Sequence, residues 1–240
     1  IPLRLVGSEM CIRDSSYSWQ GVLHEFLKCN RPENVAEING NYAIVSGRKG
    51  NRSLDKNKYQ KDANILKEAF LAAEDTELLP RYAFYCAQSY RDAAMPEQAI
   101  EWYKKRVEIK AGWADEIYCS YIELGLLYEK QNDFEQALYY WQQGIIHDPS
   151  RAECWYHTAR RHSWNKHTEL AYIFGKQASE VPFPSGNRLF IVTDIYKYWS
   201  YYEWCINAYK LQKYSESYQA FKKLVAACPQ DLLDRVAHQL

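Results

Sequence analysis

No stretch of this 240-residue chain approaches the roughly 18 consecutive apolar residues that a membrane-spanning helix requires, so a transmembrane segment is not expected. A surplus of charge is also lacking. Thirty basic and thirty acidic side chains cancel, leaving no global field to draw in nucleic acid or an anionic membrane. Paired cysteines are missing too. Cys11, Cys29, Cys86, Cys119, Cys154, Cys205 and Cys228 are scattered singly, odd in number and without Cys-x-x-Cys spacing, which argues against a disulfide framework or a zinc site. Reduced, mostly buried thiols in a cytoplasmic protein are the expectation. Residues 1–15, IPLRLVGSEMCIRDS, lack an initiator Met, a long apolar core and a small-residue cleavage site. They resemble translated adapter read-through and are set aside as a non-native leader.

Aromatic residues, by contrast, are abundant at 15% of the chain, 21 of them tyrosines. Most lie in segments with helical periodicity, where the rings fill space between helices and the hydroxyls reach the rim. Those segments repeat. Leu124, Gly125, Tyr128 and Ala137 recur 34 residues later as Thr158, Ala159, His162 and Ala171, with Pro149 followed at the same interval by Phe183 between Pro182 and Pro184. This is the tetratricopeptide period. In the best unit, small residues at Gly125, Ala137 and Gly144 stand where two antiparallel helices must approach, and Pro149 stands where the second must stop.

Ala87, Tyr90, Ala99 and Tyr103 carry the register 38 residues upstream, the excess falling at residues 112–115, and Cys205, Ser217, Phe221 and Pro229 carry it downstream. Residues 58–240 are therefore expected to form antiparallel helix pairs, led by a helix over residues 58–73 and broken near residues 78–80, 112–115, 149 and 182–184. Two positions fit poorly: His162 replaces an aromatic and Gly175 a bulky residue. His157, His162 and His167 are spaced by five, which would spread them around one helix.

Residues 16–57 have a different character. YSWQGVLHEFL alternates in part and predicts a strand followed by a turn or short helix; NYAIVSG is a second short apolar run, closed by the basic loop GRKGNRSLDKNK. In that loop glycines permit close backbone approach, and Arg48 and Arg52 could each pair bidentately with phosphate oxygens. A solvated linker is the plainer alternative. His24 beside Glu25 is a sound ligand pair for manganese or magnesium, with surface hydrogen bonding as its ordinary counterpart.

The order Trp-x-x-x-Leu-His-Glu (19–25), SGRKGNRS (46–53), KYQKDA (58–63), FYCAQSYRD (84–92), QAIEWYKKRVE (98–108) and GWADEIY (112–118) resembles family-two glycosyltransferases that carry C-terminal tetratricopeptide repeats. The resemblance implies that residues 16–57 are the tail of an α/β glycosyltransferase domain and that the fold is otherwise mainly α. It implies a parent that moves a sugar from a nucleotide-sugar donor to a glycan or protein acceptor with a divalent metal. His24 would meet metal and diphosphate with Glu25 adjacent, and Arg48, Gly50, Arg52 and Ser53 would form the diphosphate loop. No Asp-x-Asp triplet occurs in the chain, so the fragment itself is expected to be inactive and to hold no cofactor. The repeats would bind the acceptor or a protein, or self-associate. The alternative is a non-enzymatic repeat adaptor that binds a peptide or partner protein.

Overall fold

The computed structural model describes residues 17–29, 55–73, 77–186 and 188–236. Among them the chain is mainly helical, built of tetratricopeptide-like helix pairs. No described helix is long and apolar enough to cross a membrane. The chain divides into two compact units, residues 1–99 and 100–240.

The first unit contains a hairpin, β1 (Tyr17–Gln20) and β2 (Phe26–Cys29), followed by α1 (Lys58–Ala72), α2 (Leu79–Asp92) and the start of α3 (Pro96–Glu108). The strands are antiparallel with Trp19 opposite Leu27. The sequence YSWQGVLHEFL thus turns back on itself as a second strand where a turn or short helix was also open. α1 and α2 bury Ala63, Leu66, Tyr82, Ala83, Phe84 and Ala87. Pro80 sits in the first turn of α2, where its missing N–H costs nothing. The expected break at residues 78–80 therefore lies just before this proline.

The second unit continues with α4 (Ala114–Lys130), α5 (Phe134–His147), α6 (Ala152–Trp164), α7 (Thr168–Glu180), a π-helical turn (Ile195–Trp199) running into α8 (Ser200–Lys210), α9 (Tyr214–Ala227) and α10 (Gln230–Val236). The pairs α4–α5, α6–α7 and α8–α9 are the repeats. The helices α4, α6 and α8 end in the same turn. Asn132, Lys166 and Gln212 take left-handed φ of 62°, 63° and 59°, and the amide of the next residue donates to the carbonyl five back: Asp133 to Tyr128, His167 to His162, Lys213 to Ala208. Ala94, at φ 57°, does the same after α2, with Met95 donating to Tyr90. This is the paired hydrogen bonding of a Schellman end, built on non-glycine residues.

Close approach explains the small residues. A Cβ on Gly144 would strike the Cys154 sulfur of α6, and a Cβ on Gly175 would lie 3.1 Å from the Trp204 backbone nitrogen of α8. Gly175 is small because the next helix lies directly on it, which the search for a bulky residue there misses. Around these contacts Trp141, Tyr118 and Ile122 fill one core, and Tyr198, Tyr202 and Leu224 another.

The insertion before α4 is held by Arg106, which is fully buried. Its Nε donates to Glu116 (3.1 Å), and its two terminal nitrogens donate to the carbonyls of Ile109 (2.8 Å) and Trp113 (2.9 Å). Burial draws its pKa below the ordinary guanidinium value, against the pull of Glu116. The expected excess at residues 112–115 is thereby a structured turn, with Gly112 at φ 82°.

Candidate functional site

The segment between α7 and the π-helical turn is 12 residues longer than the 34-residue register allows: the step from Ala171 to Ser217 is 46. It crosses the N-terminal ends of α4 and α6 as a strap, and both helices present acidic residues in their first turns, Asp115 and Glu116 on α4 and Glu153 on α6. The main chain of Leu189 is gripped on both sides. Its N–H donates to Asp115 Oδ2 at 2.7 Å, and its carbonyl accepts from Arg151 Nη1 at 3.0 Å and from the Cys119 thiol at 3.5 Å. Val192 N–H donates to Glu153 Oε1 (3.3 Å). Arg188 adds a side-chain clamp, donating to Asp115 (3.0 Å) and Asp148 (2.6 Å).

Asp115, Arg151 and Glu153 are buried beneath this strap. Arg151 holds Glu153 with two hydrogen bonds, 3.2 and 2.9 Å, and lies 4.4 Å from the centre of the Tyr118 ring. Burial opposes its charge, yet hydrogen bonding and attraction from Glu153 outweigh burial and hold its pKa above the ordinary value. Burial pushes the Cys119 thiol up to about 12, partly countered by Arg151, so this thiol is neutral and inert. Tyr196 completes the network, donating to Glu153 (2.9 Å) and accepting from the Ala152 amide (3.0 Å).

Further along α6, Arg160 and Arg161 both approach Glu129 of α4, Arg160 by a short hydrogen bond and Arg161 at 3.8 Å. Their guanidiniums rest on aromatic rings, Arg160 on Trp164 (4.7 Å) and Arg161 on Phe134 (3.9 Å). The Nε atoms of both, and Glu129 Oε1, make no hydrogen bond within the protein. Trp164 is exposed beside them. On α8, burial raises the Glu203 carboxyl to about 7 despite Arg160, Lys210, Asn207 and Ser163 nearby. The helices α4 and α6 therefore hold the strap at their N-terminal ends and, further along α6, carry two arginines resting on aromatic rings.

Of the site residues expected from sequence, His24 and Glu25 are placed. His24 sits in the hairpin turn at φ 53°, its ring stacked on Tyr85 of α2 (4.0 Å between centroids) and its carbonyl accepting from Arg81 (2.6 Å). Both are exposed. Among the described residues no cluster of three or more His, Cys, Asp or Glu side chains is suited to hold a metal ion. Arg48, Gly50, Arg52 and Ser53 lie outside the described residues. The described cysteines 86, 119, 154, 205 and 228 are free, as expected. One histidine expectation is corrected. His167 is the N-cap of α7 and does not share α6 with His162, so the turn between the helices brings their Nδ1 atoms to 3.4 Å.

Asp115, Arg151, Glu153 and Arg188 were not singled out from sequence. The available signal was the 12-residue excess carrying Arg188, together with acidic first turns on two helices. No protein-family model matches the sequence, and the search of curated proteins found no match. Similarity to solved structures is confined to fold. MamA is 15% identical, covers 76% of this chain and 96% of its own, and superposes with a TM-score of 0.54. BtubC (BKLC) from P. vanneervenii is 12% identical, covers 70% of this chain and 72% of its own, with a TM-score of 0.55. The fold class is that of tetratricopeptide-like repeat proteins.

Proposed function

We propose that this chain is a helical-repeat binding protein that recognises a segment of a partner protein on the face formed by α4 and α6. One observation carries the reading. The N-terminal ends of α4 and α6 already hold a segment, residues 188–192, bent at Phe190 (φ 51°), through main-chain N–H and C=O groups and through Arg188. Main-chain hydrogen bonding from fixed side chains is how a repeat surface holds a peptide of varied sequence, and Arg160 resting on the exposed Trp164 ring offers a further contact on α6. The glycosyltransferase reading of the head, with its nucleotide-sugar donor and divalent metal in a longer parent, is carried by sequence blocks alone and stands second.

Peptide-display selection against the folded chain tests the proposal. Enriched peptides should bind in fluorescence polarisation, and the double change Arg160→Ala, Trp164→Ala should weaken binding at least about tenfold, the loss of a typical aromatic-cation hot spot. Its helical circular dichroism should be unchanged. Failure to enrich any peptide, or indifference of all of them to the double change, refutes the proposal.

A further inference from the structure

The turn between α6 and α7 brings two imidazoles together. His162 lies in the last turn of α6 and His167 caps α7; the His167 amide donates to the His162 carbonyl at 2.9 Å, and Lys166 between them takes the left-handed φ of 63°. The two Nδ1 atoms stand 3.4 Å apart. The ring centroids are 5.6 Å apart, so each ring meets the other by its Nδ1 edge. The same turn closes three other helices, where the residues paired in this way are Tyr90 with Met95, Tyr128 with Asp133 and Ala208 with Lys213. Of these four turns, the one after α6 alone sets a thiol, imidazole or carboxylate at both positions.

The separation discriminates between a hydrogen bond and a shared ion. A good N–H hydrogen bond spans roughly 2.7–3.2 Å, and 3.4 Å is longer. Two nitrogens each about 2.0–2.1 Å from a tetrahedral zinc stand about 3.3–3.4 Å apart, which matches. At the right angles of octahedral or square-planar coordination the same bond lengths give about 2.8–3.0 Å, a poorer fit. Phe174 stacks on His162, with centroids 5.7 Å apart and planes inclined by 20°, and so fixes that ring before an ion arrives. Burial, with His167 adding to it, lowers the His162 pKa, so the ring is neutral and has a lone pair to give. His167 is exposed, which leaves an ion a path to the shared edge.

We propose that His162 and His167 hold a zinc ion through their Nδ1 atoms, with water completing the tetrahedron. Structural zinc sites close all four positions with protein ligands; two ligands make a reversible, solvent-facing site instead. Imidazole also favours zinc over magnesium or calcium, which prefer oxygen ligands. The ion ties the end of α6 to the start of α7 across their turn. The site owes nothing to His24 and Glu25, which belong to the first unit.

Calorimetric titration of the full 240-residue chain with zinc chloride near neutral pH tests this. One saturable site below ~100 µM zinc is expected, a modest affinity, with magnesium giving no comparable site. His167→Gln should weaken zinc binding at least about tenfold, the loss seen even when a group that merely supports a metal ligand is removed, with unchanged helical circular dichroism. His162→Gln should do the same. His162 is buried, so the exposed His167 variant keeps the test valid if His162→Gln fails to fold. Nitrogen NMR of the histidine rings should show zinc shifting Nδ1 of these two residues. Three results overturn the proposal: no saturable zinc binding below ~100 µM; a zinc affinity indifferent to His167→Gln, which would place the ion on another histidine or a thiol; or ring spectra of His162 and His167 that zinc leaves unchanged.

Discussion

Replacing Arg151 by Met should destabilise the second unit by about 3–5 kcal/mol, the cost of removing one partner from a buried ion pair. Methionine restores much of the packing volume, so the loss is chiefly electrostatic. The guanidinium gives Glu153 two hydrogen bonds, gives the Leu189 carbonyl a third, and stands 3.8 Å from Asp115. Without it, Glu153 remains fully buried with only Tyr196, Tyr118 and the Val192 amide as donors. Asp115 is less affected because Arg188 still pairs with it. Since each kcal/mol moves the melting temperature by about 2–4 °C in a chain of this size, a drop of roughly 10 °C is expected.

Urea denaturation followed by circular dichroism reads the loss, and hydrogen exchange at the Leu189 and Val192 amides reads release of the strap. Adding Glu153→Leu to Arg151→Met removes the orphaned charge and should recover at least about 2 kcal/mol, because a buried pair replaced whole is often near neutral. A single variant that loses less than about 1 kcal/mol, or a double variant no more stable than the single, would falsify the claim that a buried charge pair holds the strap.

Glu203 should make stability fall as pH rises. Its folded pKa of about 7 stands above the ordinary carboxyl value, so its stabilising protonated form is fully present below about pH 4.5 and lost as pH passes 7. Glu203→Gln should therefore gain about 3 kcal/mol in urea melts at pH 8 and nothing near pH 4; equal gains at both would refute this. His157 acts in the opposite sense. Burial, aided by Arg160, lowers its pKa to about 3, so stability should decline as pH falls below 6.5, and His157→Phe should blunt that decline in thermal melts. Gly144→Ala should cost about 1–3 kcal/mol by overpacking against Cys154, with Cys154→Ala restoring part of it; an additive loss in the double variant would contradict the collision. Ala94→Gly and Lys166→Gly each relieve a left-handed non-glycine residue and should stabilise by up to about 1 kcal/mol in urea melts, where a loss would contradict the strain.

The repeat was legible in sequence because it is written in local terms. A helix expected over residues 58–73 forms as Lys58–Ala72, the breaks at residues 149 and 182–184 fall between helices, and that at 112–115 straddles the start of α4, since proline, glycine and small-residue spacing act within a turn or two of where they stand. Even the uneven steps of 38, 34 and 46 residues recur in the left-handed turns at Ala94, Asn132, Lys166 and Gln212. The strap was not legible. Leu189 meets Asp115 across 74 residues and Arg151 across 38, and nothing local to any of them encodes the other. His162 and His167 looked divergent because helical spacing was carried past the end of α6, where a tight turn reverses the chain. Glu203 reads as an ordinary surface acid until α7 covers it, as Gly175 brings the α8 backbone close. Sequence alone determined the helical-repeat register and where most of its breaks fall. Which charges are buried and which segment lies across the ends of α4 and α6 were decided by tertiary packing, because desolvation and long-range pairing exist only once distant helices are in contact.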